Sequence, residues 1–262
     1  MNEPNTPPLI PAPALAGVPA SQPPLSPLDA GSEDLAPIPN VVIAIESILR
    51  QPRRVIHQVR GPNSGALIAG MVLAAVVCSA VYGVVVGTFS GGVQLWAAPA
   101  KVAAGLLLSA LICLPSLYIF ACLSGSSARL TEVVGLVAGL TMLMTILLIG
   151  FAPVAWVFSQ STQSVVAMGA LHLAFWFIST YFGLRFLNAG FNACQGRSTG
   201  GIRVWMSIFI LVMLQMTTAV RPLIGKADTL LPVEKKFFVS HWMDCLKQTY
   251  DSEANRGTAQ AR

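Results

Sequence analysis

Four polar side chains stand out because each lies inside or at the end of a long apolar run. They are Lys101, His172, Gln215 and Arg221. An ionisable side chain held within a bilayer is energetically expensive and often belongs to a functional site. Together the four could line a path for a small molecule or an ion, although a neutral His172 bonded to a neighbouring helix is the simpler alternative. Lys101 and Arg221 could gather an anionic headgroup or substrate, or anchor helices by reaching the interface.

The side-chain combinations that carry most enzyme chemistry are missing from the sequence. It contains no HExxH, no Walker motif and no GxSxG, and the apolar runs hold no Asp or Glu. The five cysteines form no CxxC pair. His241 and Cys245 stand one helical turn apart, but two ligands fall short of a closed metal site. We therefore expect no enzyme, no cofactor and no bound metal.

The composition indicates what must position these residues. Of 262 residues, 54% are hydrophobic and 10% charged, whereas a soluble domain carries about 25% charged residues. The mean hydropathy is +0.67. The charges of the central region gather at the ends of apolar runs, which is typical of topology signals and not of a nucleic-acid surface. The pattern predicts a multi-pass membrane protein whose main partner is the lipid bilayer, with no nucleic acid bound.

Five apolar runs are each long enough to cross a bilayer as a helix, which takes about 20 residues. They cover approximately residues 64–89, 96–125, 133–158, 165–187 and 202–220. Rows of small residues at four-residue spacing in the first run favour close helix contacts. Pro115 should kink the second helix, where Ser109 or Ser116 could satisfy the disturbed backbone groups. The predicted fold is an all-α bundle of five transmembrane helices over 61–225, with amphipathic surface helices on both sides.

The flanking segments differ in character. Residues 1–39 form a proline-rich tail that we expect to be disordered. Residues 40–60 place valines and isoleucines at helical spacing beside arginines, which predicts an amphipathic helix on the cytoplasmic leaflet. The same apolar face could instead dock on a protein partner. Residues 226–262 are expected to form an amphipathic surface segment followed by a tail.

Several short motifs resemble those of the Yip family of five-span integral membrane proteins, in its bacterial-type branch. They are Gly61-Pro62, Tyr82-Gly83, Ala98-Pro99-Ala100-Lys101, Leu114-Pro115-Ser116 and Arg221-Pro222-Leu223-Ile224-Gly225. Eukaryotic members bind Rab proteins through a DLxGP motif. Here Gln58-Val59-Arg60 precedes Gly61-Pro62, so the acidic and apolar part is missing and no binding residue carries over. The resemblance implies a bacterial inner-membrane protein.

The expected function is a non-enzymatic scaffold or adaptor in membrane organisation or trafficking, with a protein partner whose identity the sequence does not give. The alternative is a facilitator for a small molecule or ion that uses the four polar side chains named first. No removable signal peptide is expected, so the first span would act as the insertion signal.

The distribution of arginines predicts the topology. Arg50, Arg53, Arg54 and Arg60 precede the first span, and further arginines flank the second and fourth loops. Positive residues favour the cytoplasmic side. We therefore expect a cytoplasmic N-terminus and, after five spans, a C-terminus on the opposite side. Labelling of single cysteines with an impermeant reagent in intact cells tests this, and termini found on the same side would contradict it.

Overall fold

The computed structural model describes residues 36–90, 92, 94–162, 165–193 and 200–219. These residues form helices and connecting turns, with no β-strand among them. The seven helices, in chain order, are α1 Val41–Arg50, α2 Pro52–Val59, α3 Gly65–Ser90, α4 Gln94–Leu123, α5 Leu130–Ser161, α6 Val165–Ala193 and α7 Gly200–Ala219. The predicted all-α class is confirmed.

Four of these helices, α3 to α6, are long and apolar enough to cross a membrane. Helix α7 is apolar over a shorter stretch, Gly200–Met216. Its 20 residues rise about 30 Å, which is close to the thickness of the hydrocarbon core. A fifth span therefore stays a prediction.

Helix α5 forms the centre of the bundle. Within its most apolar window 72% of the residues are buried, against 33% in the corresponding windows of α3, α4 and α6. Its neighbours are α3 and α6, while α4 packs on α3 and α7 packs on α4. A helix that is apolar all round has no face to turn to water, so it fills the interior and leaves its neighbours facing lipid.

Consecutive helices of the bundle alternate in direction. Gly190 lies against Leu136, and Gly183 lies against Met144, so α5 and α6 are antiparallel. We call the end at which α3, α5 and α7 begin the α1–α2 end, and the opposite end the Trp96 end. The described arginines lie in the half toward the α1–α2 end, whereas Lys101 lies in the other half.

Small residues set the spacing between α3 and α4. Ala75, Ser79 and Gly83 are all buried, as the spacing of small residues predicts. A methyl group added at Gly83 would lie 2.5 Å from Cα of Pro99 and 2.9 Å from its nitrogen. The two backbones are therefore in direct contact beside Tyr82. The motifs Tyr82-Gly83 and Ala98-Pro99-Ala100-Lys101 meet at this point.

Helix α4 continues through both Pro99 and Pro115. Near Pro115 the carbonyl of Cys113 accepts hydrogen bonds from Ser116 Oγ at 2.8 Å and from Trp205 Nε1 of α7 at 3.0 Å. Ser109 Oγ donates to the carbonyl of Gly105. The carbonyl that lacks a donor because of Pro115 is that of Leu111, so the role of Ser109 or Ser116 in satisfying the disturbed backbone stays a prediction. No sequence pattern indicated that an indole from α7 would bond to this stretch of α4.

Helices α1 and α2 differ from the expected leaflet-bound helix. Both form, but Ile48, Val55, Ile56 and Val59 are at most 4% exposed because they pack against the bundle. Arg60 Nη1 donates to the carbonyl of Ala193 at the end of α6. The protein's own helices therefore cover part of the face that was expected to lie on lipid, namely Ile48 and the apolar residues of α2, whereas Val42 and Leu49 of the same face are exposed.

Several boundaries also differ from those expected. Residues 188–193 continue α6, although the sequence predicted a loop there, and α3 runs on to Ser90. The predicted turn after the first span is reduced to the connection at Gly92, whose φ of 57° suits glycine. Residues 36–39 of the predicted tail are fixed against α2. The rest of the tail, Arg221 and residues 226–262 lie outside the described residues.

A pair of glycine substitutions tests the α3–α4 contact. Gly83→Ala should lower the free energy of unfolding by about 1–3 kcal/mol, because the methyl group meets rigid backbone. Gly150→Ala is the matched control, since nothing lies within 4 Å of the added methyl group. Melting curves in detergent should separate the two variants, and equal melting temperatures would show that the backbones are not in contact.

Candidate functional site

A buried hydrogen bond between α3 and α6 forms the centre of the candidate site. The hydroxyl of Tyr82 lies 2.6 Å from Nδ1 of His172. The two rings are nearly perpendicular, with an interplanar angle of 86° and centroids 5.6 Å apart. Tyr82 is 2% exposed and His172 is 7% exposed. The hydroxyl donates when Nδ1 carries no proton, and this leaves the ring N–H on Nε2.

Apolar side chains enclose this pair. Phe151 of α5 stacks on Phe175 of α6 with centroids 4.7 Å apart and an interplanar angle of 3°. Met168, Leu148 and Ala155 complete the cluster around Tyr82. In such surroundings a hydrogen bond is stronger than in water, and a polar group without a partner is correspondingly costly.

Three polar atoms of α6 are buried and have no hydrogen-bond partner among the described residues. They are Nε2 of His172, Oγ of Ser179 and Oγ1 of Thr180. Each such group lowers stability by about 1–3 kcal/mol relative to a satisfied one. Helix α6 is therefore the element of the described chain with the most unused hydrogen-bonding capacity, and His172 is its one ionisable member inside the bundle.

Lys101 lies near the beginning of α4 and is 8% exposed. The preceding residues Ala98 and Pro99 contact Gly83, which is next to Tyr82 in the chain. Gln215 is half-buried in α7, which runs antiparallel to α4. Lys101, His172 and Gln215 therefore all lie toward the Trp96 end, while Arg221 is outside the described residues.

Sequence reasoning singled out His172 and missed its partner. Tyr82 was noted only as part of a short motif, although a tyrosine hydroxyl inside an apolar span needs a hydrogen-bond partner. That requirement was the available signal. The hydrogen bond to a neighbouring helix that the simpler alternative required is present, while the neutral charge of His172 stays a prediction.

A narrow crevice separates α6 from α7. Its cavity volume is about 10 Å³, and it is lined by Leu173, Trp176, Phe177, Thr180, Ile210, Met213 and Leu214. Sites for drug-sized ligands usually measure about 300–1,000 Å³. The crevice is thus small and almost wholly apolar, which does not suit a hydrated solute.

Among the described residues no group of three or more His, Cys, Asp or Glu side chains could hold a metal ion. His241 and Cys245 lie outside them. Comparison with protein-family models, with curated proteins and with solved structures gives no match for this chain.

The Tyr82–His172 hydrogen bond should contribute measurably to stability. Tyr82→Phe keeps the ring and removes the hydroxyl, which leaves Nδ1 buried without its partner. We expect a loss of about 1–3 kcal/mol in the free energy of unfolding.

Tyr181→Phe is the matched control, because Tyr181 is 62% exposed. Its effect should stay within about 0.5 kcal/mol. In a double-mutant cycle, adding His172→Leu to Tyr82→Phe should cost less than the sum of the single changes. Strict additivity would show that the two side chains do not interact.

Proposed function

We propose that this protein is a non-enzymatic membrane scaffold or adaptor that presents the α1–α2 end to a protein partner. The observation that carries the proposal is the packing of α1 and α2 across that end of the bundle. A facilitator needs an opening there through which a polar solute can leave. In this fold the same space is filled by apolar side chains of the chain itself.

The side chains of α1 and α2 pack closely against α5. A methyl group added at Gly139 would lie 2.6 Å from the ring of Phe186 and 3.6 Å from Cδ1 of Ile48. Val59 covers Gly135 of α5 in the same way. Both glycines are on the central helix, so α1 and α2 reach into the middle of the bundle and not only its rim.

The outer side of α2 is polar and basic, and α1 ends in an arginine beside it. Arg50 and Arg53 are exposed. Arg54 instead turns back and donates to the carbonyls of Ala36 and Pro37 at 2.9 and 2.8 Å. Gln58 accepts from the backbone N–H of Ile38 at 3.0 Å. The chain before Ala36 is thus attached to a fixed basic platform, which suits an acidic segment of a partner protein.

The orientation and location belong to the same proposal. Collection of the described arginines at the α1–α2 end supports a cytoplasmic position for that end. The resemblance to the Yip family supports a role in membrane organisation or trafficking and a bacterial inner membrane. Membership of that family and the fifth span are both proposals that the topology experiment bears on.

A facilitator is the second candidate, and one observation favours it. Nε2 of His172, a buried polar atom with no hydrogen-bond partner among the described residues, lies in the half of the bundle that also holds Lys101. Polar groups of this kind inside a membrane bundle often mark a substrate or proton path. They could serve transport only if the α1–α2 end opened.

Flux through proteoliposomes separates the two functions. We expect release of potassium, chloride and glycerol at the rate of protein-free vesicles, because Ile48 and Val59 close the bundle. Flux above that rate, lost in both Tyr82→Phe and Lys101→Gln, would contradict the scaffold and establish the facilitator.

Site-specific crosslinking in cells tests the adaptor directly. A photoreactive amino acid at Arg53 should give a discrete crosslinked protein, since this side chain is exposed on the platform. The matched control is Leu111, which is 65% exposed on the apolar surface of α4. The same products at both positions would mean that the platform binds no partner of its own.

A further inference from the structure

Helix α1 has an apolar edge that the bundle does not cover. Val42 is 73% exposed and Leu49 is 47% exposed. They are seven residues apart, and half-buried Ile45 lies between them on the same side of the helix. The face formed by Ala44, Ser47 and Ile48 is buried against α3 and α5. One short helix thus carries two apolar surfaces, of which only one has a neighbour among the described residues.

The contacts of α1 fix its position along the bundle. Val41 lies against Gly70 of α3, which is well inside that helix. Ile48 lies against Gly139 of α5, and the same glycine contacts Phe186 of α6. Helix α1 is therefore at the level of Phe186 and of its neighbour Arg185, and not beyond the ends of the long helices.

Arg185 marks where the membrane surface crosses this side of the bundle. It is exposed on α6, and Tyr181 and Phe182, one turn earlier, are exposed beside it. The 20 residues that separate Val165 from Arg185 rise about 30 Å, the thickness of a hydrocarbon core. An exposed arginine preceded by aromatic residues is typical of the interface between acyl chains and headgroups.

We propose that α1 is an interfacial helix wedged between the bundle and one lipid leaflet. Its Val42–Ile45–Leu49 edge lies among the acyl chains, and Arg50 and Arg185 lie at the phosphate groups of anionic phospholipids. An apolar edge is costly to leave in water. Its position at the level of Arg185, with arginines next to it, favours lipid over a protein surface as the neighbour. This holds whether the chain is an adaptor or a facilitator.

The proposal replaces the expectation drawn from the sequence in one respect. The whole segment 40–60 was expected to lie on the leaflet by the face that includes Ile48. The structure buries Ile48 of that face, together with the apolar residues of α2, and leaves Val42, Ile45 and Leu49 of the same face for lipid, on α1 alone. Helix α2 has its apolar residues Val55, Ile56 and Val59 buried in protein.

Electron paramagnetic resonance of spin labels on the full chain in vesicles tests the position of α1. Single cysteines are introduced at Val42 and Leu49 in a chain whose five native cysteines are replaced. The matched control is His57, which is exposed on α2 and lies outside the proposed lipid-facing edge. None of the three labels disturbs a buried contact.

Labels at Val42 and Leu49 should be severalfold more accessible to oxygen than to a water-soluble nickel complex, at a depth of about 5–10 Å below the phosphates. The label at His57 should show the opposite preference. Equal access of the nickel complex at all three positions would place α1 in water and overturn the proposal. Low access of both reagents at Val42 and Leu49 would overturn it in favour of a protein neighbour.

Varying the lipid composition of the vesicles tests which class of lipid binds. With phosphatidylglycerol present, Arg50→Gln should reduce the amount of that lipid retained on the purified protein, by about fivefold per arginine. Phosphatidylcholine should be retained equally by the variant and the parent chain. Unchanged retention of phosphatidylglycerol, with the labels still deep, would reject the anionic headgroup as the partner.

Discussion

Helix α5 has no side chain at Gly135 and Gly139, and three other elements use the space this leaves. Val59 of α2 occupies the position over Gly135, while Ile48 of α1 and Phe186 of α6 meet over Gly139. Between two membrane helices, burial from lipid brings little gain, so association depends on close packing. Any larger residue at these two positions would push α1, α2 and α6 away together. The order of the α1–α2 end therefore depends on the van der Waals contact of one helix.

Most polar groups within the bundle bond to their own helix. Thr141 and Thr145 of α5 donate to carbonyls three and four residues earlier, and Ser79 of α3 does the same. Hydroxyls satisfied in this way add little to the attraction between helices. The bonds that cross between helices include those of Tyr82 with His172 and of Trp205 with Cys113 and Ser116. They fix rotation and register in a bundle otherwise held by shape.

The helices themselves could be predicted because lipid leaves the backbone no alternative, so length and hydropathy decide. Their ends were harder to place, since 188–193 is polar enough to suggest a loop and is helical because α5 and α2 cover it. His172 was found because it is an ionisable side chain within an apolar run. Tyr82 was not, because its partner is 90 residues away in the chain and no local pattern encodes that distance. For α1, helical spacing showed that an apolar face exists but not which neighbour covers it.

The contact between Arg60 and Ala193 joins parts of the chain that are synthesised at different times. These residues are 133 positions apart, so α1 and α2 leave the ribosome long before α5 and α6 exist. Until α5 emerges, Ile48 and Val59 lack the glycines that they cover in the folded protein, and exposed apolar patches of this kind invite aggregation. The nascent segment packs on α3 and α5 as these helices are inserted, and its contacts with α6 form last. A ribosome stalled before Phe186 would therefore hold a chain whose N-terminal helices contact α3 and α5 but are not yet held by α6.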